Sequence, residues 1–482
     1  MIAFLAGAAT VAAFAPLGVA PLALVTLAAL IHLWIDATPR RAFITGFWFG
    51  LGLFGVGVSW IYVSLSEFGG MPAPIAGFAT ACFCAFIALF PAAAGWLQAR
   101  FPASAAARAT LVIPAAWVLL EWLRLWILTG FPWLSMGYAS VGWPLQGYAP
   151  LLGVFGISFL TVSLAGMLWL FTRTRSRYWF GALLALLAAG QALRFVEWSS
   201  PHGAPLSVAL LQGNIEQSLK FDPARYARTL DTYARLADET RAKLIVLPET
   251  AVPRMLDRVD PTYLARLQDI ARRNQGDMLV GVPTRRGPDE YFNSVITLGS
   301  SPVQAYHKVH LVPFGEFMPP GFGFVLRWLE IPMSDFSRGA PGQRVLDAAG
   351  QRIAPNICYE DAFGDEIARA LPQATLLVNL SNVAWFGDSL APGQHLQMAR
   401  LRAIETGRMH LAATNTGATA AIDRDGTVLA RLPQFTEGRL EVQAQGYTGA
   451  TPYVAWTDWP VVLLCVAVLG ALVLVARARP SR

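Results

Sequence analysis

Lysine is nearly absent: the chain carries 34 arginines and three lysines, Lys220, Lys243 and Lys308. Wherever a bare positive charge suffices, this sequence uses arginine. A retained lysine therefore points to a need that a guanidinium cannot meet, namely a compact ammonium that can set one proton donor on an oxyanion. Charge as a whole is also scarce, with 14 % of the 482 residues charged and 55 % hydrophobic, which excludes an ordinary soluble chain. The six histidines make no metal-ligand spacing, since His307 and His310, the close pair, fall on alternate faces of a strand. Of four cysteines, Cys82, Cys84 and Cys465 lie in apolar runs, leaving Cys358 without an intramolecular disulfide partner. The net charge of +6 is not a nucleic-acid signal either, because the basic excess lies in the apolar parts.

Apolar runs stand near 2–14, 18–35, 42–63, 75–97, 109–128, 149–171, 178–196 and 460–476. A membrane span needs about 20 such residues, so these predict seven spans, a polar block and an eighth span. Arg40 and Arg41, Arg100 and Arg108, then Arg173, Arg175 and Arg177 occupy every second loop, whereas 65–74 and 129–148 hold no Lys or Arg. By the positive-inside rule the arginine loops are cytoplasmic, so the block after residue 197 is exported. The first run is short, but it lacks the basic start of a cleaved signal peptide. The predicted organisation is a transmembrane domain over 1–197, an exported domain over 198–458, and a final span with a cytoplasmic tail over 459–482. Glu121 and Arg124, one turn apart in span five, are expected to face the bundle interior, either paired with each other or contacting a headgroup.

The exported block holds 25 basic and 27 acidic residues, and it reads as an α/β domain. Apolar strands (206–211, 243–247, 278–282, 294–298, 353–358, 375–380) alternate with amphipathic helical stretches at 224–242 and 261–274. Short strands between 411 and 432 are joined by an Asp-Gly hairpin turn at Asp425 and Gly426. Three chemically capable residues close strands or border turns. Glu249 follows 243–247, Lys308 precedes Pro313-Phe314-Gly315-Glu316, and Cys358 ends a strand just before Tyr359, Glu360 and Asp361. Each alone could be an inert thiol or a surface charge. Together, at the ends where α/β domains build their sites, they point to nucleophilic catalysis.

In this order the three residues resemble the Glu-Lys-Cys triad of the nitrilase, or carbon-nitrogen hydrolase, superfamily. With seven preceding spans and one following, the whole chain resembles the apolipoprotein N-acyltransferase family. Further matching segments are Phe68-Gly69-Gly70-Met71-Pro72, Thr129-Gly130-Phe131-Pro132-Trp133, Gln212-Gly213-Asn214-Ile215 with Gln217-Ser218-Leu219-Lys220, and Ser381-Asn382 followed by Ala384-Trp385-Phe386-Gly387-Asp388. Two positions depart from the family pattern: Phe221 stands where Trp is common, and Val383 where Asp is common. The resemblance implies a membrane helical bundle of about eight spans carrying a nitrilase-like αββα sandwich. It implies a monomer in the bacterial inner membrane, with its catalytic domain in the periplasm and no cofactor. The implied reaction moves a fatty acyl chain from a glycerophospholipid to the α-amino group of a diacylglyceryl-cysteine. Cys358 would be the nucleophile, Glu249 the base and Lys308 the oxyanion donor. Glu316 would orient Lys308, Glu360 would shape the pocket, Tyr359 and Phe221 would contact substrate, and Trp385 would sit either in a lid or in an ordinary packed loop. The segments at 68–72 and 131–133 are expected to face lipid.

An acyl transfer from ester to amine divides into two easier steps through a thioester. A membrane-tethered amidase would use the same triad with water as acceptor. A transporter would need polar residues strung through several spans, and few stand out beyond Glu121, Arg124, Gln191 and Arg194.

Overall fold

The computed structural model describes residues 1–220, 222–287, 290–319 and 335–478. They divide into two compact units, Met1–Tyr62 with Ala73–Glu197 and Ala455–Arg482, and Val63–Pro72 with Trp198–Val454.

The first unit is helical and apolar. Helices occupy every run read from the sequence: Ile2–Thr10, Pro21–Trp34, Pro39–Gly57, Ala73–Ala99, Ala105–Leu123, Ala149–Thr174, Arg177–Leu193 and Trp459–Ala478. Among the described residues, Ala73–Ala99, Ala105–Leu123 and Pro144–Thr174 are long and apolar enough to cross a bilayer alone. A fourth qualifies if Pro39–Gly57 and Trp60–Phe68, bent by 51°, count as one span. Length thus supports three or four of the expected eight among the described residues. The physical reason is rise: Pro21–Trp34 has 14 residues, and at about 1.5 Å each they reach about 21 Å of a core about 30 Å thick.

Close packing here depends on small residues. A Cβ on Gly7 would lie 1.9 Å from the Phe49 carbonyl oxygen, so the first helix can cross Pro39–Gly57 only without a side chain at that point. The two intramembrane charges are buried and held by neighbours on the 131–136 segment. Glu121 Oε1 accepts from Met136 N at 2.9 Å and also from Trp117 Nε1 at 2.8 Å. Arg124 Nη2 donates to Ser135 Oγ at 3.1 Å, with its guanidinium over the Phe54 ring.

Contrary to expectation, the Phe131-Pro132-Trp133 segment does not face lipid. Trp133 is 1 % exposed and packs on Trp60 and Phe131 inside the unit, because the turn around Gly130 folds it back beneath Arg124. The 63–72 segment belongs by its contacts to the second unit.

That second unit is a sandwich of two six-stranded sheets. The strands are β1 (Ser199–Gln212), β2 (Leu244–Val246), β3 (Asp277–Gly287), β4 (Glu290–Gly299), β5 (Ala305–His307), β6 (Leu346–Ala348), β7 (Gln351–Ile357), β8 (Leu376–Ser381), β9 (His410–Thr414), β10 (Ala420–Ile422), β11 (Val428–Arg431) and β12 (Gly438–Gly449). One sheet runs β12-β1-β2-β3-β4-β5 and the other β11-β10-β9-β8-β7-β6. Their centres, β1-β2-β3 and β7-β8-β9, are parallel, and their flanks antiparallel.

Period-two alternation assigns each strand residue to a layer. Val208, Leu210, Leu244, Val246 and Leu279 meet Ile353, Ile357, Leu376, Val378 and Leu411 between the sheets. Ala209, Leu211, Ile245, Met278 and Val280 face outward onto the helices Pro223–Asp238 and Pro261–Arg273. The central strands are therefore apolar on both faces and read as continuous runs. Each fully buried Leu or Val stabilises the sandwich by roughly 1.5–3 kcal/mol. The Asp-Gly turn is formed as read, with Gly426 at φ +83° and its N–H donating to the Asp423 carbonyl.

Candidate active site

The carboxyl ends of the parallel strands gather the polar residues. Glu249 lies just past β2, Cys358 immediately after β7, Asn382 after β8 and Asn415 after β9. Lys308 follows β5, and Asn293 reaches across from β4. Lys243 is exposed at the other end of β2.

Three non-glycine residues here take left-handed backbone: Thr250 (φ +50°), Phe314 (φ +63°) and Cys358 (φ +53°). Each sits at or beside a candidate residue, and such conformations persist only where the surroundings over-determine them. One determinant is visible at Glu249. Gly281 of β3 leaves room for that turn, since a Cβ there would meet the Pro248 carbonyl oxygen at 2.2 Å and Glu249 Cα at 2.8 Å.

The geometry joins Glu249, Lys308 and Glu316. Lys308 Nζ is 3.4 Å from Glu249 Oε1 and 2.8 Å from Glu316 Oε2, and the ammonium is buried. Asn293 Nδ2 donates to both carboxylates, at 2.7 Å to Glu249 and 2.8 Å to Glu316. The Asn382 N–H holds Glu249 Oε2 at 2.8 Å, and Val312 N–H holds Glu316 Oε2 at 2.8 Å.

Burial alone would raise the Glu249 carboxyl pKa, but Lys308, Lys220 and the Asn293 and Asn382 donors outweigh it and hold it below the ordinary range. Burial likewise works against the Lys308 ammonium, and Glu316 and Glu249 more than compensate, so it stays charged. The Cys358 thiol is pushed up to about 12, by burial first and then by the Glu249 charge, with Lys308 opposing. At neutral pH the resting site therefore holds a neutral thiol beside an ionised carboxylate and an ammonium. Such a thiol becomes nucleophilic only when a base takes its proton during attack.

Glu360 and Tyr359 sit differently. The Glu360 carboxylate accepts from Ile357 N (2.6 Å), Val309 N (2.6 Å), His310 N (3.1 Å) and the Tyr306 hydroxyl (3.0 Å). It ties the end of β7 to the chain just after Lys308, and burial pushes its carboxyl up to about 7. Tyr359 packs with Phe363 and His310, their ring centroids 5.2 and 5.7 Å away. The Trp385 carbonyl accepts from Ser64 Oγ at 2.7 Å, and its ring meets Phe68 edge-on. Phe221 lies outside the described residues.

Several residues of the site were given no role from sequence, although Lys220 and Asn382 stood within the matching segments. Asn293, Asn382 and Lys220 all touch Glu249, with Lys220 Nζ 3.0 Å from its carbonyl oxygen. Lysine scarcity was the available signal for Lys220; an asparagine in or just after a strand carries none. Behind the Cys358 thiol, Asn379 Nδ2 (3.2 Å) and His395 Nε2 (3.0 Å) bind the Cys358 carbonyl oxygen, while Asp361 binds His410 at 2.9 Å. Among the described residues no group of three or more His, Cys, Asp or Glu side chains is arranged to hold a metal ion.

A cysteine on a strained strand end, a carboxylate and an ammonium, mounted on paired parallel-centred sheets, define a carbon-nitrogen hydrolase unit, and the sequence model of that family, "Carbon-nitrogen hydrolase", matches residues 207–453. A second, "Apolipoprotein N-acyltransferase N-terminal domain", matches residues 6–167. The apolipoprotein N-acyltransferase of Nitrosomonas europaea is 48 % identical over 481 residues, covering 98 % of this chain and 95 % of the relative. That of Methylococcus capsulatus is 46 % identical, covering 95 % and 92 %. An amidase structure from Nesterenkonia sp. aligns over 54 % of this chain and 96 % of its own, with 20 % identity and a TM-score of 0.38. The chain belongs to the apolipoprotein N-acyltransferase family.

Proposed function

We propose that the protein transfers a fatty acyl chain from a membrane glycerophospholipid to the N-terminal α-amino group of diacylglyceryl-cysteine on apolipoproteins, through a thioester on Cys358. The observation that carries this is a Cys-Glu-Lys site within a chain that also has an extensive apolar helical unit, which suits two lipid-anchored substrates.

In the first step Glu249 takes the Cys358 thiol proton as the sulfur attacks the ester carbonyl. Lys308 donates to the tetrahedral oxyanion, and the protonated Glu249 returns its proton to the departing lysophospholipid oxygen. In the second step the acceptor amine attacks the thioester and gives its proton to Glu249. The thiolate leaves and is reprotonated. Glu316 holds Lys308 in place, and Glu360 fixes the spacing between Lys308 and the nucleophile strand. Tyr359 and the Trp385 loop border the acyl path.

The topology that suits this chemistry is eight crossings, with the catalytic unit in the periplasm, an inner-membrane location and a monomer. A reporter active only in the cytoplasm, fused after Gly350, is expected to be silent and one fused after Arg175 active; the reverse contradicts the topology. The function itself is tested with phospholipid vesicles and a diacylated lipopeptide. Acyl transfer to the peptide amine supports the reading, whereas fatty acid release with no triacylated peptide would favour a hydrolase using water.

A further inference from the structure

Two of the three lysines of this chain meet at Glu249, and the mechanism above uses one of them. Lys220 follows the short helical turn Gln217–Leu219 and is 3 % exposed. Its Nζ donates to the Glu249 carbonyl oxygen at 3.0 Å. The same turn reaches Glu249 by a second route: Gln217 Oε1 accepts from Asn382 Nδ2 at 2.6 Å, and the Asn382 N–H holds the Glu249 carboxylate. A merely structural bond to a carbonyl oxygen could be made by a neutral donor, and burying an ammonium is costly unless an opposing charge repays it. The opposing groups are Glu249 and Cys358.

Charge bookkeeping gives the same answer. The groups facing the Glu249 carboxylate are Lys308 after β5, Lys220 from the 217–220 turn, the Cys358 thiol after β7, and the neutral donors Asn293 and Asn382. Glu316 already claims Lys308 at 2.8 Å, nearer than Glu249 does at 3.4 Å. Lys308 alone therefore serves two carboxylates. A second ammonium balances two negative charges with two positive ones.

We infer that Lys220 is a second cation of the active site, a positioning residue that keeps the Glu249 carboxylate ionised and ready to take the thiol proton. The inference rests on the reading of Glu249 as the base. Burial lowers the Lys220 ammonium to about 8, so near neutral pH it remains mostly charged.

The test follows the rate of Cys358 alkylation by iodoacetamide against pH in the full-length protein in detergent, beside the kcat/KM profile for acyl transfer. In Lys220→Met the acid limb is expected to move up by about one to two pH units, because loss of a nearby cation raises a carboxylate's pKa. Lys220→Gln keeps a donor for the Glu249 carbonyl and is expected to show the same shift, so the result survives if one variant fails to accumulate. Lys220→Arg, which retains charge, should leave the limb near its original position. An unmoved limb in the neutral variants, whatever their overall rate, would reduce Lys220 to a structural hydrogen bond and overturn the inference. Glu249→Gln separates the two claims: full activity there removes the base itself, whereas an inactive Glu249→Gln with an unmoved limb in Lys220→Met contradicts the role of Lys220 alone.

Discussion

Two buried ionic clusters serve the same cysteine in different ways. One, formed by Glu249, Lys308, Glu316 and Lys220, acts electrostatically on the Cys358 thiol and on the Glu249 carboxylate. The other, with Asp361, His395 and His410, grips the Cys358 backbone through its carbonyl oxygen. In the first, one ammonium lies between two carboxylates, and at rest the thiol keeps its proton while the carboxylate beside it is ionised and free to accept one. In the second, Asp361 and His410 are fully buried, and so is the Arg402–Glu405 pair at 3.1 Å. Its shortest contacts close on one another, which suits holding a strained residue rather than moving a proton. Burying charge thus has two uses within one unit, and what separates them is whether the partners are shared or fixed.

Substitutions can break that comparison. The largest effect is expected from Asp361→Ala, which leaves His410 unpaired in the core. Removing one partner of a buried pair costs about 3–5 kcal/mol, to be seen as a lowered denaturant midpoint. The fraction that remains folded should still form an acyl adduct. Loss of the adduct at unchanged stability would place Asp361 in the chemistry. Lys308→Arg should do the opposite. It keeps the charge, but a planar guanidinium misses the oxyanion position, so turnover should fall about 10²- to 10³-fold with little change in midpoint. Near-normal turnover with matched expression would make Lys308 a structural charge. The smallest effect concerns the 63–72 segment. Ser64→Ala removes the bond to the Trp385 carbonyl, worth about 1 kcal/mol, and amide exchange across residues 384–387 should rise about fivefold. Unchanged exchange would mean that the two segments are held by Phe68 packing alone.

Much of this unit was legible because parallel strands are apolar on both faces and their polar ends stand out. Glu249 and Cys358 end such strands, and Lys308 was marked by the rarity of lysine. Asn293 was not legible and Asn382 was marked only by its matching segment, since a neutral amide looks alike in a core network and in a site. The grip of Glu360 on three backbone amides depends on how β5 and β7 end in space, which no spacing encodes. Each apolar run located a helix of the first unit, but hydropathy measures composition and not unbroken length. Pro16, the bend near residue 58 and the polar start of Arg177–Leu193 therefore leave, among the described residues, three helices able to cross alone, or four if the bent pair counts as one span. The Phe131-Pro132-Trp133 segment was misread because aromatic residues suit a lipid surface and a packed interior equally well.

The most direct test of the central claim is the mass of the peptide containing Cys358 after incubation with phospholipid and no acceptor. The account predicts a gain of one fatty acyl group, released by neutral hydroxylamine as a thioester is, absent from Cys358→Ala and scarce in Glu249→Gln. An adduct that persists in Cys358→Ala, or efficient acyl transfer with no adduct at any time, would contradict it.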